Sequence, residues 1–126
     1  MGDRAVVGFA PSADAPTIYL YSHWGGSTQI NDVQNALSAS NSRWHDADYA
    51  TRIAISALVG DDWDSETGYG LSVGAYTYPD YPYVLKIVWG EQSVYVLNAD
   101  TQAEQGRISF SEFLALTGED LEPALA

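Results

Sequence analysis

The chain has 126 residues, of which 46% are hydrophobic, so it provides material for one core but too little length for two. Seventeen acidic residues against five basic ones give a net charge of −12. Because Lys and Arg are the residues that neutralise phosphates, the small number of basic residues argues against nucleic acids and anionic membranes as partners. The absence of cysteine excludes disulfides, thiolate metal ligands and cysteine nucleophiles.

These bounds predict a single domain over residues 1–126, with the segments 1–16 and 118–126 loosely ordered. The first residues lack the apolar run of a secretory signal, and no stretch is long enough to span a bilayer. We therefore expect the protein in the cytoplasm.

The N-terminal half predicts two strands followed by two helices. Residues 5–9 and 17–22 have the β-branched and aromatic content of strands, and a pair of glycines follows the second. A first helix is expected from an N-cap at Ser27. A second is expected to begin near Asp46 and to end at Gly60.

The clearest local pattern is a hairpin over residues 83–98. Apolar residues alternate on both strands, and a two-residue loop at Gly90-Glu91 predicts a type II′ turn. In that register one buried face carries the pairs Leu85–Val96 and Ile87–Val94.

Two weaker patterns flank the hairpin. Residues 71–75 alternate apolar and small residues as a strand, after the acidic loop 61–68. Ser109 and Glu112 have the spacing of a capping box that opens a last short helix. The predicted fold is therefore α+β, with a small antiparallel sheet (a meander or hairpin over 69–98) packed against two or three helices.

Motifs that carry chemistry are few. Asp62, Asp64 and Glu66 alternate in one loop, but the loop is not an EF-hand, because Val73 stands where the closing glutamate belongs. We therefore expect no metal site, no cofactor and no catalytic residue. Backbone amides over residues 25–27, which open the first helix, are a candidate anion site for a nucleotide phosphate.

Several short segments follow one another in an order that resembles a known family. They are Tyr-Leu-Tyr-Ser-His-Trp-Gly-Gly at 19–26, Arg-Trp-His-Asp at 43–46 with Tyr49 and Arg52, and Glu-Thr-Gly-Tyr-Gly at 66–70. Over about residues 17–98 this order resembles a family of small tailed-bacteriophage proteins of unassigned function. The resemblance implies expression in a bacterial host cytoplasm, and it lends no catalytic roles.

The same segments define one candidate ligand-binding locus, because aromatic and ionisable residues lie at element ends flanking the two helices. Stacking aromatics with a few charges suit a planar metabolite or nucleotide. The alternative is that these groups lock the helices onto the sheet, with Arg52 paired to Asp48 or Glu66. The six residues are His23, Trp24, Trp44, Arg52, Glu66 and Tyr69.

Three functions remain open at this point. The leading hypothesis is a non-enzymatic phage accessory protein that binds a host protein or a small ligand, by inhibiting a host factor or sequestering a signalling nucleotide. The second is a small metal-dependent hydrolase that uses His23, His45 and acidic-loop carboxylates. The third is a structural or assembly component of a phage particle, for which homo-oligomers are expected.

Overall fold

The computed structural model describes residues 2–117. Within them the chain forms six strands and three α-helices, joined by short 3-10 turns. The strands are β1 Ala5–Ala10, β2 Ile18–Ser22, β3 Tyr69–Val73, β4 Tyr83–Val88, β5 Ser93–Asn98 and β6 Glu104–Ser109, and the helices are α1 Gln29–Ala39, α2 Ala47–Val59 and α3 Phe110–Ala115. The end segment 118–126, expected to be loosely ordered, lies outside the described residues.

All six strands belong to one sheet in the order β3-β2-β1-β4-β5-β6. Neighbours are antiparallel except β1 and β4, which run parallel. The segment 1–16, for which loose order was expected, contains the central strand β1, and every residue of β1 is buried. Since both β2 and β4 pair with β1, the N-terminal segment organises the sheet.

The α+β class, with a sheet packed against helices, is confirmed, but the sheet is mixed and larger than expected. β3 does not extend the 83–98 hairpin into a meander; it pairs with β2 at the opposite edge of the sheet. The third strand beside the hairpin is β6, which the sequence did not predict. The physical reason is that residues 74–82 carry the chain across the sheet from its edge to its centre before β4 begins.

The register of the hairpin is confirmed, and its turn is different. Leu85 pairs with Val96 and Ile87 with Val94, and all four residues are at most 3% exposed. The loop is Trp89–Gln92, in which Gln92 has φ 47° and donates its N–H to the Trp89 carbonyl at 3.0 Å. The predicted II′ turn at Gly90-Glu91 is therefore wrong.

The cause of the longer loop is the indole of Trp89, which leaves the ladder and enters the core. Its ring packs edge-on against Phe110 with centroids 5.7 Å apart, and its N–H donates to Thr51 Oγ1 at 2.8 Å. A two-residue loop would keep Trp89 in the strand.

The predicted N-cap at Ser27 is wrong, because Ser27 lies in a 3-10 turn and α1 has no side-chain cap, but the ends of α2 and the start of α3 follow local side-chain chemistry as predicted. Asp46 accepts a hydrogen bond from the Tyr49 N–H at the start of α2, and Gly60, with φ 63°, follows its last residue. Ser109 Oγ accepts from the Glu112 N–H at 3.2 Å, which confirms Ser109 as the N-cap, and the Glu112 carboxylate reaches back to the Ser109 hydroxyl at 2.9 Å instead of to its N–H.

The two faces of the sheet are covered differently. The three helices pack on one face, over the main core. Residues 11–16 and 74–82 cover part of the other: Lys86 Nζ donates to the Ala13 carbonyl at 3.1 Å, and Tyr76 OH donates to the Ala99 carbonyl at 2.8 Å. Within residues 2–117, no helix combines the length and apolar character needed to cross a membrane.

Candidate functional site

An open groove lies between α2 and the β2–β3 edge of the sheet. It has two parts, of about 370 Å³ and about 210 Å³, and both are lined by Trp63 and Leu71. Trp63 stands in the loop after α2 and Leu71 in the middle of β3. The first part is also lined by Ile18, Thr51, Arg52 and Ile55, and the second by Val59, Asp62 and Tyr69.

The floor of the groove is apolar because α2 covers only part of the sheet face. Leu20 is 3% exposed beneath the helices. Side chains alternate along a strand, so Ile18 shares the face of Leu20, and their partners Val73 and Leu71 share it too. Beyond the reach of α2, Ile18 is 37%, Leu71 57% and Val73 71% exposed.

Trp63 adds to this surface from the opposite wall, with 52% of its area exposed. Soluble proteins rarely leave several large apolar side chains exposed together, and such a patch marks an interaction site. The groove patch, defined as Ile18, Trp63, Leu71 and Val73, is the strongest candidate surface within residues 2–117.

Several carboxylates lie in the loop at one end of the groove. Asp61, Asp62, Asp64 and Glu66 are all exposed in the loop that leads into β3, and Asp62 lines the groove itself. At the other end Asp48 and Arg52 face the larger part. Among the described residues Arg52 makes no salt bridge, so it pairs neither with Asp48 nor with Glu66 as the sequence suggested.

The structure places two of the six predicted locus residues in this groove. Arg52 lines the larger part and Tyr69 the smaller. His23 lies where β2 ends: its N–H donates to the Gly68 carbonyl at 2.9 Å and its ring contacts Trp24 at 4.8 Å between centroids. Glu66, two residues before Gly68, belongs to the same end of the sheet.

Trp44 lies at the other end. It lines a cavity with Pro11, just after β1, whereas the His23 carbonyl accepts from the Asp3 N–H, just before β1. Six strand residues span about 20 Å, so these two positions cannot share one small-ligand site. Trp44 is instead a packing residue: its N–H donates to the Leu37 carbonyl at 3.0 Å and its ring contacts Phe110.

The two histidines also lie at opposite ends of β1, because His45 lines the same cavity as Trp44. Tyr21 OH lies 2.7 Å from His23 Nδ1, which gives that ring a neutral partner. Within residues 2–117, no group of three or more His, Asp or Glu side chains is arranged to hold a metal ion.

The predicted anion site at residues 25–27 is already used by the protein. The Asp3 carboxylate accepts from the Ser27 N–H at 2.7 Å, and the Asp3 carbonyl accepts from the Gly26 N–H at 2.8 Å. Tyr81 OH donates to Asp3 at 2.7 Å, and this bond is the main reason why the pKa of Asp3 is lowered and that of Tyr81 raised to about 12. Residues 26–28 form a 3-10 turn as a result, and α1 begins at Gln29 without a side-chain cap.

A second, smaller cavity of about 30 Å³ adjoins Gln29, Asp32 and Tyr69. Gln29 is 3% exposed, and its side-chain amide has no hydrogen-bond partner among the described protein groups. The volume is enough for a water molecule. This cavity is too small for an organic ligand, and it shares Tyr69 with the smaller part of the groove.

Sequence reasoning missed Trp63, Ile18, Leu71 and Val73 as site residues. One signal was present: Trp63 is a large apolar residue inside an otherwise acidic loop. Comparison of the chain with family models, curated proteins and solved structures finds no match, so its function has to be inferred from the groove.

Proposed function

We propose that this protein is a non-enzymatic phage accessory protein that acts in the bacterial host cytoplasm by holding a segment of a host protein in the groove between α2 and β3. The observation that carries the proposal is the groove patch, four exposed apolar residues on two facing walls. Burying this patch against a partner removes apolar area from water at about 25 cal/mol per Å².

Trp63 is the expected anchor of that interface. Trp is among the residues most often found to dominate binding energy, because it buries a large rigid area. Its ring lines both parts of the groove, so a bound segment that follows the groove must pass it.

A planar small ligand is the second candidate. Trp63 and Arg52 both line the larger part of the groove, and an aromatic ring with a guanidinium suits a stacked metabolite or nucleotide. We favour the protein segment because the groove patch continues past this part onto Val73. The hydrolase alternative loses its support, since His23 and His45 lie at opposite ends of β1.

The test compares three tagged proteins purified from bacterial lysate: wild type, Trp63→Ser and Tyr78→Ser. Tyr78 is a matched control, because it is 47% exposed and belongs to the segment 74–82, outside the groove. Both substitutions are at exposed positions, so both variants should stay within about 0.5 kcal/mol of wild type in stability.

Native mass spectrometry of each preparation gives the result. We expect a bound protein with wild type and Tyr78→Ser that is lost with Trp63→Ser and that rebinds after separate purification. A bound small molecule with the same dependence would support the second candidate. Homo-oligomers with that dependence would support an assembly component instead. Identical spectra for all three proteins would contradict a role for the groove.

A further inference from the structure

The outer edge of β3 offers hydrogen bonds that no other described strand uses. In the β2–β3 ladder the Gly74 N–H donates to the Thr17 carbonyl, and the Gly68 carbonyl accepts from the His23 N–H. Inward-bonding positions alternate along an antiparallel strand, so the even positions 68–74 face β2. The N–H and C=O groups of Tyr69, Leu71 and Val73 therefore point away from the sheet.

The other edge of the sheet is protected in ways that β3 is not. β6 carries Glu104 and Arg107, which bond each other at 2.7 Å, and the register shifts by a bulge at Val96/Leu97 of β5. Charges and bulges are the usual devices that stop an edge strand from pairing with another chain. The sequence of β3, Tyr-Gly-Leu-Ser-Val, has neither a charge nor a proline.

The free edge and the groove patch are continuous. Leu71 and Val73 have their side chains on the groove face and their main-chain groups on the open edge. A strand added beside β3 in antiparallel register would place its alternate side chains on that same face. Main-chain bonds and side-chain burial would then be made by one extended segment, which is the mode of strand addition.

Charge decides what kind of segment fits. Asp61, Asp62, Asp64 and Glu66 are exposed in the loop that leads into β3, and Asp62 lines the smaller part of the groove together with Tyr69, so the Tyr69 end of an added strand lies on the acidic side of the groove. Opposite charges across an interface favour encounter and exclude like-charged partners. The added strand should therefore carry Lys or Arg beyond its apolar positions.

A second copy of this chain does not supply such a strand. Three of its five basic residues are already engaged: Arg4 pairs with Asp80, Arg107 with Glu104 and Glu91, and Lys86 reaches the Ala13 carbonyl. Arg43 lies over the Tyr49 ring, and Arg52 is on a helix. The complement has to come from a different protein.

We propose that β3 accepts a strand from a partner protein whose alternate residues are apolar and whose ends are rich in Lys and Arg. This inference rests on the proposed function, because it assigns the chemistry of the segment held in the groove. It goes further in requiring main-chain pairing, which groove binding alone does not.

The probe is a synthetic peptide, Lys-Arg-Thr-Ile-Thr-Val-Thr-Ile-Thr-Lys-Arg, with both termini blocked. Two N-methylated versions test which edge of the peptide pairs with β3. One carries the backbone N-methyl groups on the Ile and Val residues, and the other carries them on the inner Thr residues. In the proposed register the Ile and Val N–H groups face β3, because residues opposite Leu71 and Val73 put side chains in the groove. A fourth peptide replaces Lys and Arg by Glu.

Binding is measured by calorimetry and by hydrogen exchange at the amides of Tyr69, Leu71 and Val73. We expect the parent peptide to bind and to protect these three amides. Methylation of Ile and Val should weaken binding at least about tenfold, since several main-chain bonds are lost, whereas methylation of Thr should change it less than about threefold. The Glu peptide should not bind.

A matched pair of protein variants tests the same edge from the other side. Val73→Pro removes one outward N–H without breaking the ladder to β2, and Val73→Thr keeps that N–H with a similar shape. Because Val73 belongs to the groove patch, both variants alter a side chain that the peptide buries, and the N–H is tested by the difference between them: Val73→Pro should bind the parent peptide about tenfold more weakly than Val73→Thr does.

Two results would overturn the inference. In the first, both N-methylated peptides bind equally well, and the parent peptide does not bind Trp63→Ser. That result would support the groove as a binding site but would contradict strand addition. No binding of the parent peptide at millimolar concentration would remove the assigned chemistry. The lysate experiment with Trp63→Ser stands apart from both, so a failure of the proposed function is seen separately.

Discussion

Gly26 is the position where one added methyl group should be felt most. A Cβ built there lies 2.6 Å from Asp3 Oδ1 and 2.9 Å from the Asp3 carbonyl oxygen, and it collides with the Tyr81 ring. One of these neighbours is backbone next to the central strand β1, which cannot move without disturbing the sheet. Forced overpacking of this kind costs about 1–3 kcal/mol. We expect Gly26→Ala to lower the free energy of unfolding by that amount.

Urea unfolding followed by tryptophan fluorescence measures the effect, and Gly106→Ala is the control because nothing lies within 4 Å of its added Cβ. If the Tyr81 ring is the main obstacle, the cost of Gly26→Ala should fall by at least about 1 kcal/mol in a Tyr81→Ala background, as neighbouring sites are coupled. Additive effects of the two changes would assign the cost to Asp3 instead of the Tyr81 ring. A Gly26→Ala protein as stable as Gly106→Ala would refute the reasoning.

Three further predictions concern buried or paired polar groups. Thr51→Val should cost about 1–3 kcal/mol, because it leaves the buried Trp89 N–H without its acceptor, while Thr51→Ser should cost less; equal urea midpoints for the two would contradict this. Hydrogen bonds from Arg4 lower the pKa of Asp80 from 3.8 to about 2, so the stabilisation by this pair is present above pH 3.8 and is lost as the pH falls through about 2. The melting temperature of the wild type should therefore fall across this range by more than that of Asp80→Asn. Parallel pH dependences of the two melting temperatures would contradict this prediction. Gln29→Leu should raise the free energy of unfolding by about 1 kcal/mol, since it replaces a buried amide that has no protein partner, and a destabilised variant would show that the amide is satisfied.

Features set by neighbouring residues could be predicted from the sequence. Alternation over 83–98 identified the hairpin and its buried face, because one face of the pair must be apolar throughout. The limits of α2 followed from Asp46 and Gly60, whose side-chain and backbone preferences act within one helical turn.

Features set by distant residues could not be predicted. β6 lacks apolar alternation, and it forms because β5 offers the edge that β4 does not pair and because Arg107 stacks on Tyr95 at 4.6 Å. The pairing of β3 with β2 depends on where residues 74–82 cross the sheet, and no local pattern encodes that path.

The same distinction between local and distant effects applies to the candidate site. The six residues were grouped because they lie at element ends, but their distribution over two ends of β1 depends on the order of strands in the sheet. Trp44 illustrates the difference. Its position before a helix suited a ligand site, yet α3 brings Phe110 against its ring, and the half-buried residue packs against the core.

The acidity of the chain bears on how the groove patch can interact with other molecules. An uncharged strand edge beside exposed apolar side chains would invite copies of the protein to associate through it. Four exposed carboxylates lie in the loop that leads into that edge strand, and exposed charges interact over roughly 8–10 Å at moderate salt. Copies that each carry a net charge of −12 repel one another, whereas a basic segment is attracted by the same carboxylates. If β3 binds a partner strand as proposed, the charge that opposes self-association of the open edge is also the charge that favours a basic partner.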